Sequence, residues 1–172
     1  EWIWWHENGQ IKDEANFKDG KEDGKWTWWH ENGQKKFEDY YKDGKFIGYT
    51  RYSYYENGQK EWEGNFKNGK KHGKLTWWDE NGQKTSERNY KGDKIDGKWT
   101  EWYKNGQIKS ERIYKDGKED GKWTYWYENG QIEKEFNTTN GKIISWYENG
   151  QMRSESNYKR SEGDYGYGLR DG

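Results

Sequence analysis

The chain has 172 residues, 27% of them hydrophobic and 37% charged, and Lys+Arg 31 against Asp+Glu 32 leaves a formal net charge of −1. Low hydrophobicity predicts disorder only when aromatics are few and net charge is large; here 20% of the residues are aromatic, so the apolar content sits in rings. No apolar run reaches the ~18 residues of a spanning helix, the balanced charge removes the footprint of a nucleic-acid binder, and zero Cys excludes disulfides, thiolate metal sites and Cys nucleophiles.

From the N-terminus onward, Asn-Gly recurs with Gly at 9, 33, 58, 82, 106, 130 and 150, in steps of 24, 25, 24, 24, 24 and 20. Self-similarity at a fixed period is the mark of a repeat array. Four residues before each Gly stands an aromatic: Trp5, Trp29, Tyr54, Trp78, Trp102, Trp126 and Trp146. Five after each stands a Glu: Glu14, Glu38, Glu63, Glu87, Glu111, Glu135 and Glu155. Eight after comes Phe17, Tyr41, Phe66, Tyr90, Tyr114 or Tyr158, with Thr138 the exception, and then a second turn such as Lys18-Asp19-Gly20-Lys21. A third Gly (Gly24, Gly48, Gly73, Gly97, Gly121) closes five of the units, and the sixth omits this element, which accounts for its shorter step.

Asn-Gly and Asp-Gly between aromatic and Thr-containing runs are strong hairpin signals, because their turns need φ > 0. The intervening runs are too short for helices, and words such as Trp26-Thr27-Trp28-Trp29 favour extended chain. The predicted fold is therefore all-β: an elongated single antiparallel meander of about fourteen short strands, growing by roughly 9–10 Å per repeat. Seven hairpin repeats fill residues 1–160, the first starting within a strand, and residues 161–172 form an irregular Gly/Tyr tail or partial repeat. A two-residue loop at Asn-Gly would pair Trp29 with Lys36, whereas a three-residue loop at Glu-Asn-Gly, a type I turn with a G1 bulge, pairs Trp29 with Lys35 and is preferred because it puts the rings on one face. On this reading the recurrent ring and the later Phe/Tyr share one face, giving stacks such as Trp102, Tyr114 and Trp126, while the Glu column lies opposite among lysines.

The unit Trp-x-x-Trp-Tyr-x-Asn-Gly-Gln-x-x-x-Glu-x-x-Tyr-Lys-Asp-Gly-Lys-x-x-Gly, seen best in Trp99–Gly121 and in Trp123–Gly130 with Glu135, resembles the bacterial variant of the MORN repeat. The resemblance covers residues 1 to about 160. It implies an elongated sheet of stacked hairpins, and a protein-interaction or scaffold module. It also implies antitoxin-like or immunity proteins and exported ones, so a secreted or cell-surface setting is slightly favoured over the cytoplasm. Lipid-kinase names attach to eukaryotic relatives, but no kinase signature of a Gly-rich loop, His-Arg-Asp or Asp-Phe-Gly is present. Choline- and glucan-binding cell-wall repeats show a looser similarity, which implies aromatic platforms for an envelope glycan or a quaternary ammonium group.

His6 and His30 share one repeat position, occupied by Tyr55, Tyr103, Tyr127 and Tyr147 elsewhere, so they read as side chains flanking a turn, and His72 stands apart. No metal site, cofactor site or catalytic residue is expected: a metal needs converging ligands, and a Glu present in every unit is more simply a structural rung than half of a hydrolytic carboxylate pair. Alternation along Trp26-Thr27-Trp28-Trp29 puts rings on both faces. The expected contact surface is Trp2, Trp4, Trp26, Trp28, Trp77 and Tyr125, fading where Glu101 and Ser145 replace the ring. The competing reading has twist and Lys or Arg stems covering that face. Residue 1 starts inside a strand with no polar cap, so strand addition by another protein or self-association at the open edge is also expected. A first residue of Glu rather than Met is compatible with a leader or upstream segment outside this sequence.

Overall fold

The computed structural model describes residues 1–158; the predicted irregular tail at 161–172 lies outside the described residues. The elements are β1 (Trp2–Trp5), β2 (Ile11–Lys18), β3 (Lys21–Trp29), β4 (Lys35–Lys42), β5 (Lys45–Tyr54), β6 (Lys60–Lys67), β7 (Lys70–Trp78), β8 (Lys84–Lys91), β9 (Lys94–Trp102), β10 (Ile108–Lys115), β11 (Lys118–Glu119), β12 (Lys122–Trp126), β13 (Ile132–Asn137), β14 (Lys142–Trp146) and β15 (Met152–Asn157). They form one open antiparallel sheet in sequence order, with β11 and β12 both pairing β10. The all-β meander of stacked hairpins is thus the fold.

Two turn types alternate. The Glu-Asn-Gly turns carry Gly at φ near +80°, as at Gly33, whose N–H donates to His30 O at 2.9 Å while Asn32 Oδ1 accepts from Gln34 N at 3.0 Å. The left-handed backbone here suits Gly, since a Cβ at this φ crowds the following carbonyl. Trp29 pairs with Lys35, as the three-residue loop requires. Five of the second turns are two-residue loops with both residues at positive φ, as at Asp19 (49°) and Gly20 (75°), the primed geometry that matches strand twist, while the turn between β13 and β14 is longer and has only Gly141 at positive φ.

The face assignment needs correcting. After Trp29↔Lys35 the register jumps to Trp28↔Phe37, so Lys36 is the bulged residue and every side chain beyond it changes face. Trp29 therefore lies with Glu38, and Tyr41 lies opposite. The expected stack of Trp102, Tyr114 and Trp126 does not form; the rings that meet are Trp99, Tyr114 and Trp123, with successive centroids 5.8 Å apart.

One face, called here the Glu face, runs Glu14↔Thr27↔Glu38↔Thr50, then Glu63↔Thr76↔Glu87↔Thr100↔Glu111↔Thr124↔Glu135. Thr27, Thr50, Thr76, Thr100 and Thr124 are all buried. A Lys two residues before the Thr position reaches the next Glu in five rungs: Lys25–Glu38 (3.4 Å), Lys74–Glu87 (2.9 Å), Lys98–Glu111, Lys122–Glu135 (2.5 Å) and Lys142–Glu155 (3.0 Å). Lys60 and Lys84 lie over the rings of Trp78 and Trp102 at 5.0 and 5.7 Å while pairing with Glu63 and Glu87. This face tiles itself: methyl, carboxylate, ammonium and ring cover one another without a second layer.

The column slips once. Thr50 pairs with Glu38 on one side but Asn65 on the other, and Glu63 pairs with Tyr52. The slip of two residues, about 7 Å along the strand, coincides with the 25-residue step and with the bulge between Tyr40 and Tyr41 opposite Ile47.

Candidate interaction face

The opposite face carries residues one before and one after each Thr, and all six expected contact residues lie on it, Trp2, Trp4, Trp26 and Trp28 in contact at one end and Trp77 and Tyr125 several strands away. At its N-terminal end the rings form a chain. Trp2 meets Trp4 (centroids 6.1 Å), Trp4 stacks on Trp26 (6.2 Å), Trp26 on Trp28 (4.8 Å, 14° between planes), and Trp28 meets Phe37 (4.4 Å). A second row continues through Tyr41, Phe46, Tyr49 and Phe66, whose last pair stacks at 4.9 Å and 10°. Trp2 is 62% exposed, Trp4 37% and Phe46 47%, so the patch is open where it is richest in rings.

Further along, arginines interleave with the rings. Arg51 lies over Phe37 (4.4 Å) and Tyr49 (4.2 Å) and pairs with Asp39 at 3.3 Å. Arg88 lies between Trp77 (4.9 Å) and Trp99 (3.9 Å), and Arg112 covers the other side of Trp99 at 4.0 Å while bound to Glu101. A guanidinium over a ring gains cation–π attraction and keeps water off it. Rings are thus left open at Trp2, Trp4 and Phe46, whereas Arg51, Arg88 and Arg112 cover Phe37, Tyr49, Trp77 and Trp99. Trp77 sits under Arg88, and Glu101, where the surface was expected to fade, is the anchor of Arg112. Tyr125 is half-buried.

The sequence reading misses Phe37, Phe46, Tyr49, Phe66, Trp99 and the three arginines. The signal for Trp99 was present, since it stands one residue before Thr100 as Trp26 stands before Thr27. The later Phe and Tyr residues were assigned to the wrong face by the bulge.

The recurrent rings Trp5, Trp29, Tyr54, Trp78, Trp102, Trp126 and Trp146 line the Glu face beside the Glu column. Glu38 is 4% exposed and accepts from Lys35 (2.6 Å), Tyr52 (2.8 Å), Tyr40 (3.1 Å), Lys25 (3.4 Å) and Thr27 (3.5 Å). Burial alone would raise its pKa, but the hydrogen bonds from Lys35 and Tyr52 and the charges of Lys35 and Lys25 outweigh it and hold the carboxyl at about 2. Burial and the bond to Glu38 push the Tyr52 phenol up in turn. Glu87 is lowered likewise, its burial opposed by the bonds from Lys74 and Lys84.

His6 Nε2 lies 3.1 Å from Trp29 O, and the hydroxyls of Tyr55, Tyr103 and Tyr127 donate to the carbonyls of Trp78, Trp126 and Trp146 at 2.8, 2.7 and 2.9 Å. Beside them Asn8, Asn57, Asn105 and Asn129 donate from Nδ2 to the Glu carbonyl of the next turn. The position shared by His and Tyr thus stitches one turn to the next. At the slip the stitches change: Asn32 bonds its own Gln34, and Gln34 Nε2 reaches Gly58 O at 2.9 Å. An open cleft of about 630 Å³ lies there, lined by His30, Gln34, Tyr52, Tyr54 and Glu56 among others. Among the described residues no three His, Asp or Glu side chains group closely enough to hold a metal ion, and no helix is long and apolar enough to cross a membrane.

A chain of hairpins with this period and turn pair is the MORN-type architecture. The MORN repeat variant model matches residues 1–19, 22–43, 50–68, 71–91, 95–116, 119–140 and 139–160, and the chain belongs to that family. No curated protein matches it. Among solved structures, a mutant of S. aureus TarM in complex with Fondaparinux, alpha-GlcNAc-glycerol and UDP aligns at 10% identity and a TM-score of 0.33, over 78% of this chain and 21% of that one. A GtfA/B complex bound to UDP and GlcNAc aligns at 15% identity and 0.26, over 84% and 24%. Superpositions this loose carry no argument about this chain.

Proposed function

We propose that this chain is a non-catalytic scaffold or interaction module that docks another protein on the ring face between Trp2 and Phe66. MORN repeats are in general modules that bind proteins or membranes. The observation that carries the narrower reading is the asymmetry of the two faces. The Glu face is closed by its own lysines, whereas the opposite face leaves a connected, partly exposed set of rings at one end. An exposed apolar patch with a polar rim is where a protein partner gains most, and Trp and Tyr are the usual anchors. An antitoxin or immunity role is a special case, with a toxin as the docked protein. The Glu column supports a non-catalytic reading, since Glu38 and Glu87 are held ionised by lysines that complete the rungs.

Replacing Trp26 and Trp28 together by Ser removes the centre of the ring chain without touching the Thr–Glu column. Partner binding is expected to be lost while the sheet's circular dichroism is retained; binding that survives contradicts the assignment to this face.

The cleft at the register slip favours a second reading, carbohydrate or choline-type binding. It combines Tyr52 and Tyr54 with His30, Gln34 and Glu56, and its volume falls within the range of ligand pockets. Titration with envelope glycans and with choline, read by intrinsic fluorescence, is expected to show saturable quenching on that reading. No change at millimolar ligand removes it.

A further inference from the structure

The sequence contains nine Asn-Gly pairs, at Asn8, Asn32, Asn57, Asn68, Asn81, Asn105, Asn129, Asn140 and Asn149. Asn-Gly is the dipeptide most open to intramolecular attack, because Gly places no Cβ beside its own nitrogen. The backbone N of Gly, once deprotonated, attacks the Asn Cγ; a C–N bond forms, ammonia leaves, and a succinimide results. Water then opens either imide carbonyl, giving Asp or isoaspartate. The reaction needs a Gly N–H that can be released and a side-chain amide free to turn towards it.

Eight of the nine pairs withhold at least the nucleophile. Gly9, Gly33, Gly58, Gly82, Gly106, Gly130, Gly141 and Gly150 each donate N–H to a carbonyl three or four residues back, at 2.8–3.0 Å. In seven of these pairs the Asn Oδ1 also accepts a backbone N–H from two residues ahead, as Asn8 accepts from Gln10 and Asn140 from Lys142. At Asn81 that role passes to Asp79, which takes the N–H groups of Asn81 and Gln83, but Gly82 N still bonds Asp79 O.

Asn68-Gly69 is different. It forms the two-residue turn between β6 and β7, with Asn68 in the left-handed region at φ 52°, and both residues are exposed. Neither the Asn68 side chain nor the Gly69 N–H has a hydrogen-bond partner among the described residues, and a Cβ built at Gly69 would meet nothing within 4 Å. Sister turns of this type are tied to the hairpin before them: Gly44 N to Glu22 O (2.8 Å), Asp93 N to Lys71 O (3.1 Å) and Gly117 N to Ile95 O (2.8 Å). The Asn68 turn follows the register slip in β5, and no such tie joins it to the preceding hairpin.

From this geometry we infer that Asn68 is a site of spontaneous deamidation, the one Asn-Gly pair of the array whose nucleophile and amide are both free. The two products differ in consequence. Asp at position 68 restores the residue that the sister turns carry at Asp19, Asp43 and Asp116, all at φ near +50°. Isoaspartate inserts a methylene into a two-residue turn and disturbs the pairing Lys67↔Lys70 that the turn closes.

The test is a time course of the full chain at mildly alkaline pH, with peptide mapping by mass spectrometry and separation of Asp from isoaspartate. Asn68 is expected to convert at least on the order of tenfold faster than Asn105, the factor by which about one net hydrogen bond suppresses an opened state. The rate should rise with pH, both products should appear, and Asn68→Asp should keep the thermal melt of the parent chain. Conversion of Asn68 no faster than Asn105, or a faster loss at any of the other eight sites, overturns the inference. A chain unfolded in urea supplies the control: there the nine sites should converge on similar rates, and a persistent lead of Asn68 would assign the effect to local sequence and overturn the structural cause.

Discussion

Glu38 carries more of the fold than a surface carboxylate does. Two lysines, two tyrosines and a threonine point at its oxygens, and the carboxyl is held at about 2. Because the folded-state pKa lies below the ordinary 4.5, its contribution is present above about 4.5 and is lost as pH falls towards 2. The size of that contribution is about 3 kcal/mol at neutral pH. Glu38→Gln should therefore lower the urea midpoint at pH 7 by an amount equivalent to about 2–3 kcal/mol, since the lysine heads can return to water. The gap between variant and parent should close as pH approaches 2, which denaturation at matched pH values measures. On the other face, Arg88 stands between Trp77 and Trp99, so Arg88→Ala should uncover both rings and cost about 1 kcal/mol from the lost stacking. A red shift and faster quenching of Trp fluorescence by acrylamide would report the exposure.

At the scale of the hairpin, most of the architecture was legible. The Asn-Gly and Asp-Gly words named both turns, because turns depend on residues within four positions of each other, whereas the Trp29↔Lys35 pair was chosen for a shared ring face that the bulge then removes. The face of each ring was not legible. It depends on one bulged residue, Lys36 in the second unit, that no side-chain pattern marks, and a bulge inverts every face after it. The six residues expected at the contact surface keep a common face because they lie on first strands, before the bulge, where parity is read from the adjacent Thr or, at Trp2 and Trp4, from Ile3. The partners Phe37, Tyr41 and Phe66 lie past the bulge and did not survive it. The slip at β5 was visible only as a 25-residue step, since its position depends on pairing across strands. Gly48 sits at that slip with a built Cβ 2.7 Å from the Phe66 carbonyl oxygen, a backbone atom that cannot turn away. Gly48→Ala should therefore destabilise the chain by about 2 kcal/mol, the scale of an overpacked site. A drop in melting temperature of Gly48→Ala relative to the parent chain would check it.

Over the whole molecule, a single sheet has no second layer to bury its faces, and the ordinary two-layer solution is absent among the described residues. One face closes by repeating the same Thr–Glu–Lys–Trp tile, which any number of units can extend. The other closes where arginines reach the rings and stays open where they do not. Open rings thus cluster in the first units, at Trp2, Trp4 and Phe46, while guanidinium-covered rings begin at Phe37 under Arg51 and continue through Trp77 and Trp99. Repeats related by sequence thus differ in what they offer a partner.

Adjacent residues on one strand address the two faces, and this gives the most direct test. A photo-crosslinking amino acid placed at Trp28 reports the ring face, and the same group at Trp29 reports the Glu face. With the full chain expressed in its source cells and irradiated, a discrete protein adduct is expected from position 28 that disappears when Trp26→Ser is added, and little or none from position 29. Equal adducts from both positions, or adducts from 29 alone, would contradict the assignment of the interaction to the ring face.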